Sequence, residues 1–533
     1  MVPDREKNSI NISAPSAAVD IAFSRVFNVA DAFIDRHIRE GRSNKRALLT
    51  QSIEVTYGEL ASRVAQSGNA LRALELKRGD RVLIVSVDCP EFFYVFWGAI
   101  KAGFIPVPVN TQLKVSDYEH LIADSGCAAV FHHCPNSAQV CKAIELGVQR
   151  HVLNKERLLS LMETSSNQLD PVETGPDDDC FWLYSSGSTG QPKGVVHAHK
   201  DMVVTSMRYG EGVLGIRSDD LVFCASKLFF SYGFGGGMTF PLWAGATVAL
   251  SEELPSADMA FRMISAYRPS VYFGVPTLYA NQIHVAEQHA CDLSSIRIAA
   301  SAGEALPAAI YRKWNERFGI SILDGIGSTE VLHIFISNRV DKVKPGTSGY
   351  PVPGYEVKVV DADRNALGPN QVGLLLVKGQ SNARCYWNSP EKTAATMCGE
   401  WLNTGDMYSY DEEGCFISAG RADDMIKVGG MWCSPLEIEA AILTHPDVLE
   451  AAVVGQTDDD GLLKPAAYLV LKAGREVSDA VRTELQQFCK SQLAGFKYPR
   501  WIYFLNELPK TVTGKIQRFR LRRANAPSLS PSR

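Results

Sequence analysis

Residues 184–194 read YSSGSTGQPKG, a run of hydroxyl side chains and glycines that ends with one lysine and a last glycine. Glycines let a backbone approach a ligand closely, and hydroxyls and successive backbone N–H groups donate to a multiply charged anion. The stretch therefore indicates a phosphate-binding loop, with a plain surface turn as the alternative. The residues assigned to this loop are Ser185, Ser186, Gly187, Ser188, Thr189, Gly190 and Lys193.

The spacing of this loop differs from the two commonest phosphate-binding motifs. The nucleoside-triphosphate P-loop has its lysine directly after a glycine, but here Gln191 and Pro192 stand between Gly190 and Lys193. The dinucleotide motif G-x-G-x-x-G fails as well, because it needs a third glycine at a fixed offset. Another class of nucleotide-using protein is therefore indicated.

The composition is typical of a globular protein with more than one domain. The chain has 533 residues, of which 46% are hydrophobic and 21% charged, and this length exceeds what one ordinary core accommodates. The net charge of −5 argues against a general nucleic-acid-binding or membrane-surface protein. Any anionic ligand must therefore be bound by a local site.

The sequence indicates no structural metal, disulfide framework or membrane span. Its 12 cysteines form no C-x-x-C pair, and the neighbours His132, His133 and Cys134 are assigned no metal. The most apolar stretch, residues 91–109, contains Lys101, Gly103 and two prolines, so it predicts a helix that ends near Gly103 and a following strand. The polar N-terminus lacks the pattern of a secretory signal, and we predict a cytoplasmic protein.

Short apolar runs between residues 45 and 350 alternate with helix-like segments. Examples are RVLIVSV (81–87), VYFGVP (271–276) and IRIAA (296–300). This alternation predicts an α/β architecture with buried, mostly parallel sheets. From Gly346 to Gly420, turn residues separate the runs EVKVVD, GLLLVKG and GCFISAG, which predicts a compact β subdomain.

The pattern of the sequence changes again after the polar stretch RADD (421–424). SPLE (434–437) fits a capping box with Ser434 at the N-cap and Glu437 reaching back, so a helix should begin there. A strand-like AAVVG (451–455) follows. A second helix is then predicted, with one apolar face formed by Val481, Leu485, Phe488, Cys489 and Leu493.

Four further stretches accompany the phosphate loop in a fixed order: SAGEALP (301–307), DGIGSTE (324–330), residues 403–430, and LPKTVTGKIQR (508–518). In order and spacing the five resemble the acyl-adenylate-forming (AMP-dependent synthetase/ligase) superfamily, over nearly the whole chain from about residue 25 onward. Within it, three stretches are most similar to the benzoate-CoA ligases: KLFFSYGFG (227–235), STEVLHIF (328–335) and residues 432–455.

The resemblance implies the adenylate-forming enzyme fold, an α/β multidomain architecture. A large N-terminal α/β domain with a β subdomain is followed by a small mobile C-terminal α+β domain. The implied division is a mobile N-terminal arm at 1–25, an adenylation domain at 26–422, the C-terminal domain at 423–525, and a disordered tail at 526–533.

The resemblance also implies an aryl-CoA ligase that uses ATP, Mg²⁺ and CoA. A benzoate, or a hydroxy- or aminobenzoate, would be converted to an acyl-adenylate with release of pyrophosphate, and its acyl group would then pass to CoA with release of AMP. An enzyme that loads a separate carrier protein and a non-catalytic nucleotide-binding regulator are the alternatives. No nucleic-acid or membrane partner is expected, and a homodimer is allowed.

Roles carry over only to positions of this chain that match the motifs. The implied catalytic residues are Thr329, Glu330 and Lys515, with Glu330 also a ligand of Mg²⁺. The implied AMP-binding residues are Gly303, Glu304, Asp324, Gly325, Ile326, Asp406 and Arg421. The implied acid pocket is formed by Phe230, Ser231, Tyr232, Gly327, Val331, His333 and Ile334. The implied hinge is Asp423, and the CoA side consists of Lys427, Gly429 and Gly430.

Some of these positions have a second interpretation. Several benzoate-type ligases carry alanine where this chain has Ser231 and methionine where it has Val331. The Ser231 hydroxyl could bond a ring substituent, which keeps hydroxybenzoate and aminobenzoate as alternatives. His333 either orients the acid or is an ordinary core side chain, and Gly429–Gly430 either admits the pantetheine thiol or forms a plain turn.

Overall fold

The structure is a computed structural model that describes residues 7–11, 21–145, 151–186, 192–287, 291–428, 431–458, 462–472, 474–493, 495, 497–510 and 516–524. Several predicted positions lie outside these ranges. They are Gly187, Ser188, Thr189 and Gly190 of the phosphate loop, Gly429 and Gly430 of the CoA side, the catalytic Lys515, and the tail 526–533.

The larger of two parallel sheets has nine strands. Their spatial order is Tyr350–Pro351, Ile334–Ser337, Ile322–Gly327, Ile298–Ser301, Val271–Gly274, Leu221–Cys224, Thr247–Ala249, Arg46–Leu49 and Glu54–Thr56. The six strands from Ile322–Gly327 to Arg46–Leu49 are parallel, and antiparallel strands flank them at both edges. The prediction of buried, mostly parallel strands is confirmed here.

Helices connect and cover the strands of this sheet. They are Asp31–Asp35 and Arg36–Arg39, which are continuous, then His199–Thr205, Ser206–Glu211, Ser231–Phe234, Gly235–Thr239, Phe240–Ala244, Ala257–Tyr267, Pro276–Ala286 and Ala308–Phe318. Parallel strands need such crossovers, and their carboxyl ends meet at one edge of the sheet, where ligands bind in open α/β sheets. The stretches SAGEALP and DGIGSTE both lie at this edge.

The second parallel sheet has four strands, in the spatial order Ile105–Pro108, Arg81–Ser86, Ala129–His133 and His151–Asn154. Its helices are Tyr57–Arg72, Pro90–Ala102, Val115–Ser125, Ser137–Glu145 and Lys155–Glu163. Helix Pro90–Ala102 is buried along its whole length, and it ends at Gly103 with φ +88°, a conformation that glycine adopts without strain. The predicted helix and following strand are therefore confirmed. Residues of both sheets share one core with this helix between them.

A small antiparallel sheet carries the candidate phosphate loop. Strand Asp179–Ser186 pairs with strand Pro192–Ala198, which in turn pairs with Cys385–Tyr386. Lys193 is the cross-strand partner of Ser185. The phosphate loop therefore joins two hydrogen-bonded strands, and its two ends lie next to each other.

The β subdomain predicted between residues 346 and 420 contains five strands: Glu356–Val360, Gly373–Lys378, Met397–Cys398, Trp401–Tyr410 and Phe416–Arg421, with helix Pro390–Thr396 beside them. The last two strands pair with Asp406 opposite Arg421. This register brings together the two residues expected to hold the ribose.

The C-terminal part has its own α+β core. Its strands are Ile426–Val428, Met431–Cys433, Val448–Thr457, Leu463–Leu471 and Trp501–Phe504, and its helices are Pro435–Ile442, Asp479–Gln492 and Arg518–Ala524. Val481, Leu485 and Cys489 are buried on one face of the second helix, as predicted. Across the described ranges, no cluster of buried apolar residues combines residues before 421 with residues after 425.

The capping box predicted at residues 434–437 is only half formed. Ser434 Oγ accepts from the Glu437 N–H at 3.2 Å, as a helix N-cap should. The Glu437 carboxylate, however, binds Lys497 Nζ at 2.6 Å rather than reaching back. A cation 60 positions away in the chain competes for this carboxylate, which local sequence does not reveal.

Two described pieces of the N-terminal arm contact each other and the body. Strand Ile10–Asn11 pairs with Ala22–Phe23. Buried Ile21 exchanges two backbone hydrogen bonds with the Gln380 side chain, at 2.9 and 3.0 Å. The arm is therefore attached at these points. In the part of the chain that the structure describes, no helix combines the length and apolarity needed to cross a bilayer.

Candidate active site

The two ends of the phosphate loop face Glu330. Ser185 Oγ donates to Glu330 Oε1 at 3.3 Å, and the Lys193 ammonium lies 4.7 Å from the centroid of the Tyr386 ring. Burial lowers the pKa of Lys193, the positive charge of Lys392 lowers it further, and Glu330 opposes both effects. The described parts of the predicted loop and the GSTE stretch therefore form one site.

Glu330 lies just beyond strand Ile322–Gly327, and three groups hold it. Its Oε1 accepts from Tyr386 Oη at 2.8 Å as well as from Ser185, and its backbone carbonyl accepts from the Ala383 N–H at 2.7 Å. Burial raises the pKa of Tyr386, so the phenol remains protonated and acts as the donor. The carboxylate is thus oriented before any ligand binds.

A buried histidine fixes the neighbouring peptide. His197 Nε2 lies 2.8 Å from the Thr329 carbonyl oxygen, and His197 Nδ1 lies 2.8 Å from Asp201 Oδ2. The two side chains are 0% and 1% exposed, and the Phe181 ring stacks on the imidazole. Each ring nitrogen therefore faces an oxygen, and the imidazole joins the Thr329 peptide to Asp201 of helix His199–Thr205. Sequence analysis missed this pair, although a histidine and an aspartate four residues apart at a strand–helix junction are a recognisable signal.

The candidate adenine slot combines an exposed glycine with two carboxyl groups. Gly303 has φ +96°, which favours glycine there. Asp324 is 4% exposed and accepts from the Leu306 N–H at 3.1 Å. Burial raises the pKa of Asp324 to about 7, against the opposing effect of that hydrogen bond. The half-buried Glu304 accepts from the Ile516 N–H of the C-terminal part at 2.9 Å.

Gly325 and Ile326 continue strand Ile322–Gly327 directly after Asp324. A Cβ atom at Gly325 would lie 2.6 Å from the Ile336 carbonyl oxygen, so the antiparallel neighbour strand requires glycine at this position. The strand is thereby held close to its partner, and Asp324 is fixed at the edge where the slot opens.

Asp406 and Arg421, expected to hold the ribose, contact each other. Arg421 Nη1 lies 3.2 Å from Asp406 Oδ1 and donates to the Thr404 carbonyl at 2.8 Å. An aspartate accepts from two vicinal hydroxyls when it is oriented in this way. The structure therefore places the pair together at the edge of the β subdomain.

The acid-pocket residues fall into two groups. Phe230, Ser231 and Tyr232 are half-buried at the start of helix Ser231–Phe234, and Tyr232 Oη donates to the Ala300 carbonyl at 2.8 Å. The deeper group is buried and consists of Val331, His333 and Ile334. Half-buried Gly327 connects the two, and a Cβ atom there would lie 2.6 Å from the His333 carbonyl oxygen.

His333 is 2% exposed and lies among the rings of Tyr209, Tyr232 and Phe240. Its Nε2 lies 3.2 Å from the Tyr232 carbonyl oxygen, so Nε2 carries the proton in the neutral ring. Burial lowers the pKa of His333 to about 3, and the imidazole is therefore uncharged near neutral pH. This environment suits a packed pocket wall better than a cationic carboxylate anchor.

A buried ion pair anchors the aromatic stretch that begins at residue 227. Lys227 Nζ lies 3.3 Å from Asp88 Oδ2 and donates to the Ser251 carbonyl at 2.7 Å, and both side chains are 6% exposed. Asp88 Oδ1 also accepts from the Leu228 N–H at 3.1 Å. The pair ties the second parallel sheet to the acid-pocket segment, and sequence analysis did not identify it.

Two described hydrogen bonds join the C-terminal part to the body: the Ile516 N–H donates to Glu304 Oε1 at 2.9 Å, and Ser434 Oγ donates to the Ala419 carbonyl oxygen at 2.7 Å. Asp423 is exposed, and its carbonyl oxygen accepts from Arg522 Nη2 at 3.3 Å. Arg522 also forms an ion pair with Asp424. Lys427 lies in strand Ile426–Val428. Ile516, which bonds Glu304, directly follows the predicted catalytic lysine in the sequence.

Comparison with known families and proteins matches both halves of the chain. The model of the family described as AMP-binding enzyme covers residues 34–387, and that of the AMP-binding enzyme C-terminal domain covers residues 437–515. The chain is 47% identical over 507 residues to a benzoate–CoA ligase of Thauera aromatica, covering 93% of this chain and 96% of the relative. It is 40% identical to a 4-hydroxybenzoate–CoA/benzoate–CoA ligase of Rhodopseudomonas palustris, covering 93% and 94%.

Two solved structures are similar over nearly the whole chain. The anthranilate CoA ligase AuaEII in complex with anthranoyl-AMP superposes with a TM-score of 0.91 at 39% identity, covering 94% of this chain and 98% of that one. A benzoate CoA ligase from Burkholderia xenovorans LB400 gives 0.87 at 42% identity, covering 93% and 100%. The superfamily and fold expected from the five motifs are thereby confirmed, and the chain belongs to the AMP-binding enzyme family.

Proposed function

We propose that this protein is an ATP-dependent aryl-CoA ligase. In the first step a carboxylate oxygen of the acid bonds to the α-phosphorus of ATP. The bond between the α-phosphorus and the oxygen that bridges to the β-phosphate breaks, and pyrophosphate is released. In the second step the CoA sulfur bonds to the acyl carbon and AMP leaves. The observation that carries the proposal is that Ser185 Oγ bonds the Glu330 carboxylate, while Lys193 lies on the ring of Tyr386, whose hydroxyl bonds the same carboxylate.

The proposed role of these residues is positioning and charge neutralisation, because the first step joins two anions. Ser185 and Lys193 would bind the outgoing phosphates, and the Thr329 hydroxyl would contact the α-phosphate. Glu330 suits Mg²⁺, since a hard cation prefers carboxylate oxygen and both hydrogen bonds described for this carboxylate fall on Oε1. When bound, Mg²⁺ supplies further neutralisation of the phosphate charge.

AMP would lie between the adenine slot and the ribose pair. The Asp324 strand end and the Glu304 turn flank one end of this space, and Asp406 with Arg421 forms the other. Gly303, Gly325 and Ile326 would supply backbone contacts to the base. The position of Ile516 beside Glu304 is consistent with Lys515 acting in the first step.

The proposed substrate is benzoate or a hydroxy- or aminobenzoate. Half-buried Phe230 and Tyr232 offer flat surfaces, while Gly327, Val331, His333 and Ile334 would close the pocket with small, neutral groups. Ser231 would place a hydroxyl near the ring. The named relatives and solved neighbours act on benzoate, 4-hydroxybenzoate or anthranilate, which supports this substrate class.

The second step would use the C-terminal part in another orientation. We propose that residues 423–525 rotate about Asp423 relative to 26–422, withdrawing Lys515 and presenting Lys427, Gly429 and Gly430 to CoA. Separate apolar cores on the two sides of the hinge support such a movement, because rotation then exposes no shared core. A homodimer and a cytoplasmic location remain predictions.

The test is to incubate the purified protein with ATP, Mg²⁺, CoA and each of benzoate, three hydroxybenzoates and three aminobenzoates. Acid-dependent appearance of aryl-CoA, AMP and pyrophosphate in equal amounts is the expected result. Pyrophosphate and aryl-adenylate without aryl-CoA would favour a carrier-loading enzyme. Absence of acid-dependent pyrophosphate release with every acid would favour a nucleotide-binding regulator.

A further inference from the structure

Tyr386 joins the phosphate loop to the proposed metal ligand. This residue is 5% exposed and lies in the two-residue strand Cys385–Tyr386, where it pairs with Val195. Its hydroxyl donates to Glu330 Oε1 at 2.8 Å, and the face of its ring lies 4.7 Å from the Lys193 ammonium. One side chain therefore contacts a cation and an anion that the proposed function uses together.

Backbone hydrogen bonds hold Tyr386 between those two groups. The Ala383 N–H donates to the Glu330 carbonyl at 2.7 Å, and the Trp387 N–H donates to the Gly194 carbonyl at 2.8 Å. The Tyr386 N–H itself donates to Thr393 Oγ1 at 3.0 Å. The strand is attached to the GSTE stretch at one end and to the phosphate-loop strand at the other, so the phenol has little freedom to move.

The hydroxyl controls how the Glu330 carboxylate presents its oxygens. A donor on Oε1 fixes the plane of the carboxylate, and within the described residues Oε2 receives no hydrogen bond. A metal ligand held in one orientation loses less rotational freedom when the cation binds. The phenol thus prepares Glu330 for a cation at Oε2.

The ring influences the nearby lysine. Without the ring, the Lys193 ammonium and a metal ion would compete for the same carboxylate, since opposite charges within a few ångströms attract strongly in a half-buried site. The aromatic face attracts the ammonium electrostatically and offers it a different location. The Glu330 charge then remains available to the metal, and Lys193 remains available to phosphate.

We propose that Tyr386 is a positioning residue that orients Glu330 toward the magnesium ion of MgATP and keeps Lys193 away from that carboxylate. The inference rests on the proposed function and adds to it a residue outside the five motifs. The proposed role affects the binding of MgATP but not that of AMP, because only MgATP needs the metal contact.

The test compares Tyr386→Phe with the matched control Tyr272→Phe. Tyr272 is buried as well, and its hydroxyl bonds Gln282 at 3.0 Å in a different cluster of the body. Equilibrium binding of a non-hydrolysable ATP analogue is measured over a range of Mg²⁺ concentrations, with AMP binding and thermal melting measured in parallel. Aryl-CoA formation from supplied aryl-adenylate, a step without MgATP, is the activity control.

For Tyr386→Phe we expect the Mg²⁺-dependent affinity for the analogue to fall by about tenfold, the usual size for a lost hydrogen bond to a charged group. The affinity for AMP and the rate of the reaction with supplied aryl-adenylate should stay within twofold of the wild type, and the Tm should stay within 1–2 °C of it. Tyr386→Leu should lower the affinity for the analogue further, because Lys193 then also loses its aromatic contact.

Two outcomes would overturn the inference while leaving the proposed function intact. One is a Tyr386→Phe protein that makes aryl-CoA and binds the Mg²⁺ analogue like the wild type. The other is an equal loss of AMP and Mg²⁺-analogue binding together with a lower Tm, which would indicate a structural role only. A wild-type protein that forms no aryl-CoA would instead refute the proposed function.

Discussion

The two walls of the candidate site are built in different ways. On the body side, the Thr329 carbonyl is bonded to a His197–Asp201 pair whose side chains are 0% and 1% exposed. On the C-terminal side, the Ile516 N–H donates to the half-buried Glu304. Water can replace this contact but not the buried pair. Two successive reactions in one cleft require this difference, because one side of the cleft, the rigid wall, must stay in place while the contacts of the other side break and re-form.

The largest effect is expected at Lys515, which directly precedes Ile516 in the sequence. Lys515→Ala should lower the rate of adenylation by about 100-fold or more, since it removes a positioned charge that acts in the transition state. The same variant should still convert supplied benzoyl-AMP and CoA to benzoyl-CoA at a rate within a few fold of the wild type. Separate assays of pyrophosphate release and of thioester formation check this, with Lys510→Ala as the control for loss of a basic side chain in the same segment.

Equal loss of both half-reactions in Lys515→Ala would show that the two walls act as one.

The next largest effect is expected on the rigid wall. His197→Phe keeps the aromatic contact with Phe181 but removes both hydrogen bonds, and we expect kcat/KM for ATP to fall by about 30-fold, consistent with an unpaired buried acceptor. His197→Gln, which retains a donor for the Thr329 carbonyl, should recover part of the loss. His284→Phe, at an exposed histidine, serves as the control.

If His197→Phe changed only the Tm, and Gln gave no recovery of kcat/KM for ATP, the pair would have no role in positioning. Another contact would then have to hold the Thr329 peptide in place.

A smaller effect is expected in the pH dependence of stability at the rigid wall. Burial raises the folded-state pKa of Asp324 to about 7, above its ordinary value of 3.8. At a pH between these two values, Asp324 is therefore protonated in the folded protein but ionised in the unfolded chain. Stability from this group is therefore lost as pH rises toward 7 and changes little above it. The side chain of Asp324→Asn cannot titrate, so the variant does not lose this stability as pH rises. We expect the difference between the Tm of the variant and the Tm of the wild type to change by about 3 °C, in favour of the variant, from pH 5 to pH 8.

Melting curves of both proteins at half-unit pH intervals measure this difference. A constant offset across the whole range would contradict the proton assigned to Asp324.

The smallest effect is expected at Glu304, where the two walls touch. Glu304→Ala removes the acceptor for the Ile516 N–H, and because Glu304 is only half-buried, water can take its place and the expected change in rate is only about threefold. We expect adenylation to slow by that factor while thioester formation from supplied benzoyl-AMP is unchanged. Glu304→Gln, which still accepts, should behave as wild type, and the exposed Glu287→Ala is the control. A larger loss in thioester formation than in adenylation would contradict the arrangement.

Sequence motifs predicted the family and the sheet architecture. They did not reveal Tyr386, His197 or Lys227, because the role of each depends on a partner far away in the chain. Tyr386 is 56 positions from Glu330, and His197 is 132 from Thr329. The Glu437 carboxylate illustrates the same limit, since Lys497 took the bond that the local pattern assigned to the helix cap. Local patterns define elements, whereas tertiary contacts decide which polar atoms meet.

The hinge provides the most direct test of the central claim that one cleft serves two reactions through movement of the C-terminal part. Among the described residues, the Asp423 N–H donates no hydrogen bond, and so Asp423→Pro should restrict rotation about the Asp423 N–Cα bond without removing a donor that is in use. Asp423→Ala, which removes the carboxylate but leaves φ unrestricted, is the matched control.

Both half-reactions should be measured for Asp423→Pro and Asp423→Ala. We predict that Asp423→Pro retains adenylation within about threefold of the wild type but loses thioester formation by about 100-fold, whereas Asp423→Ala keeps both. A parallel fall of the two half-reactions in Asp423→Pro, or no change in either, would contradict a cleft that is used twice.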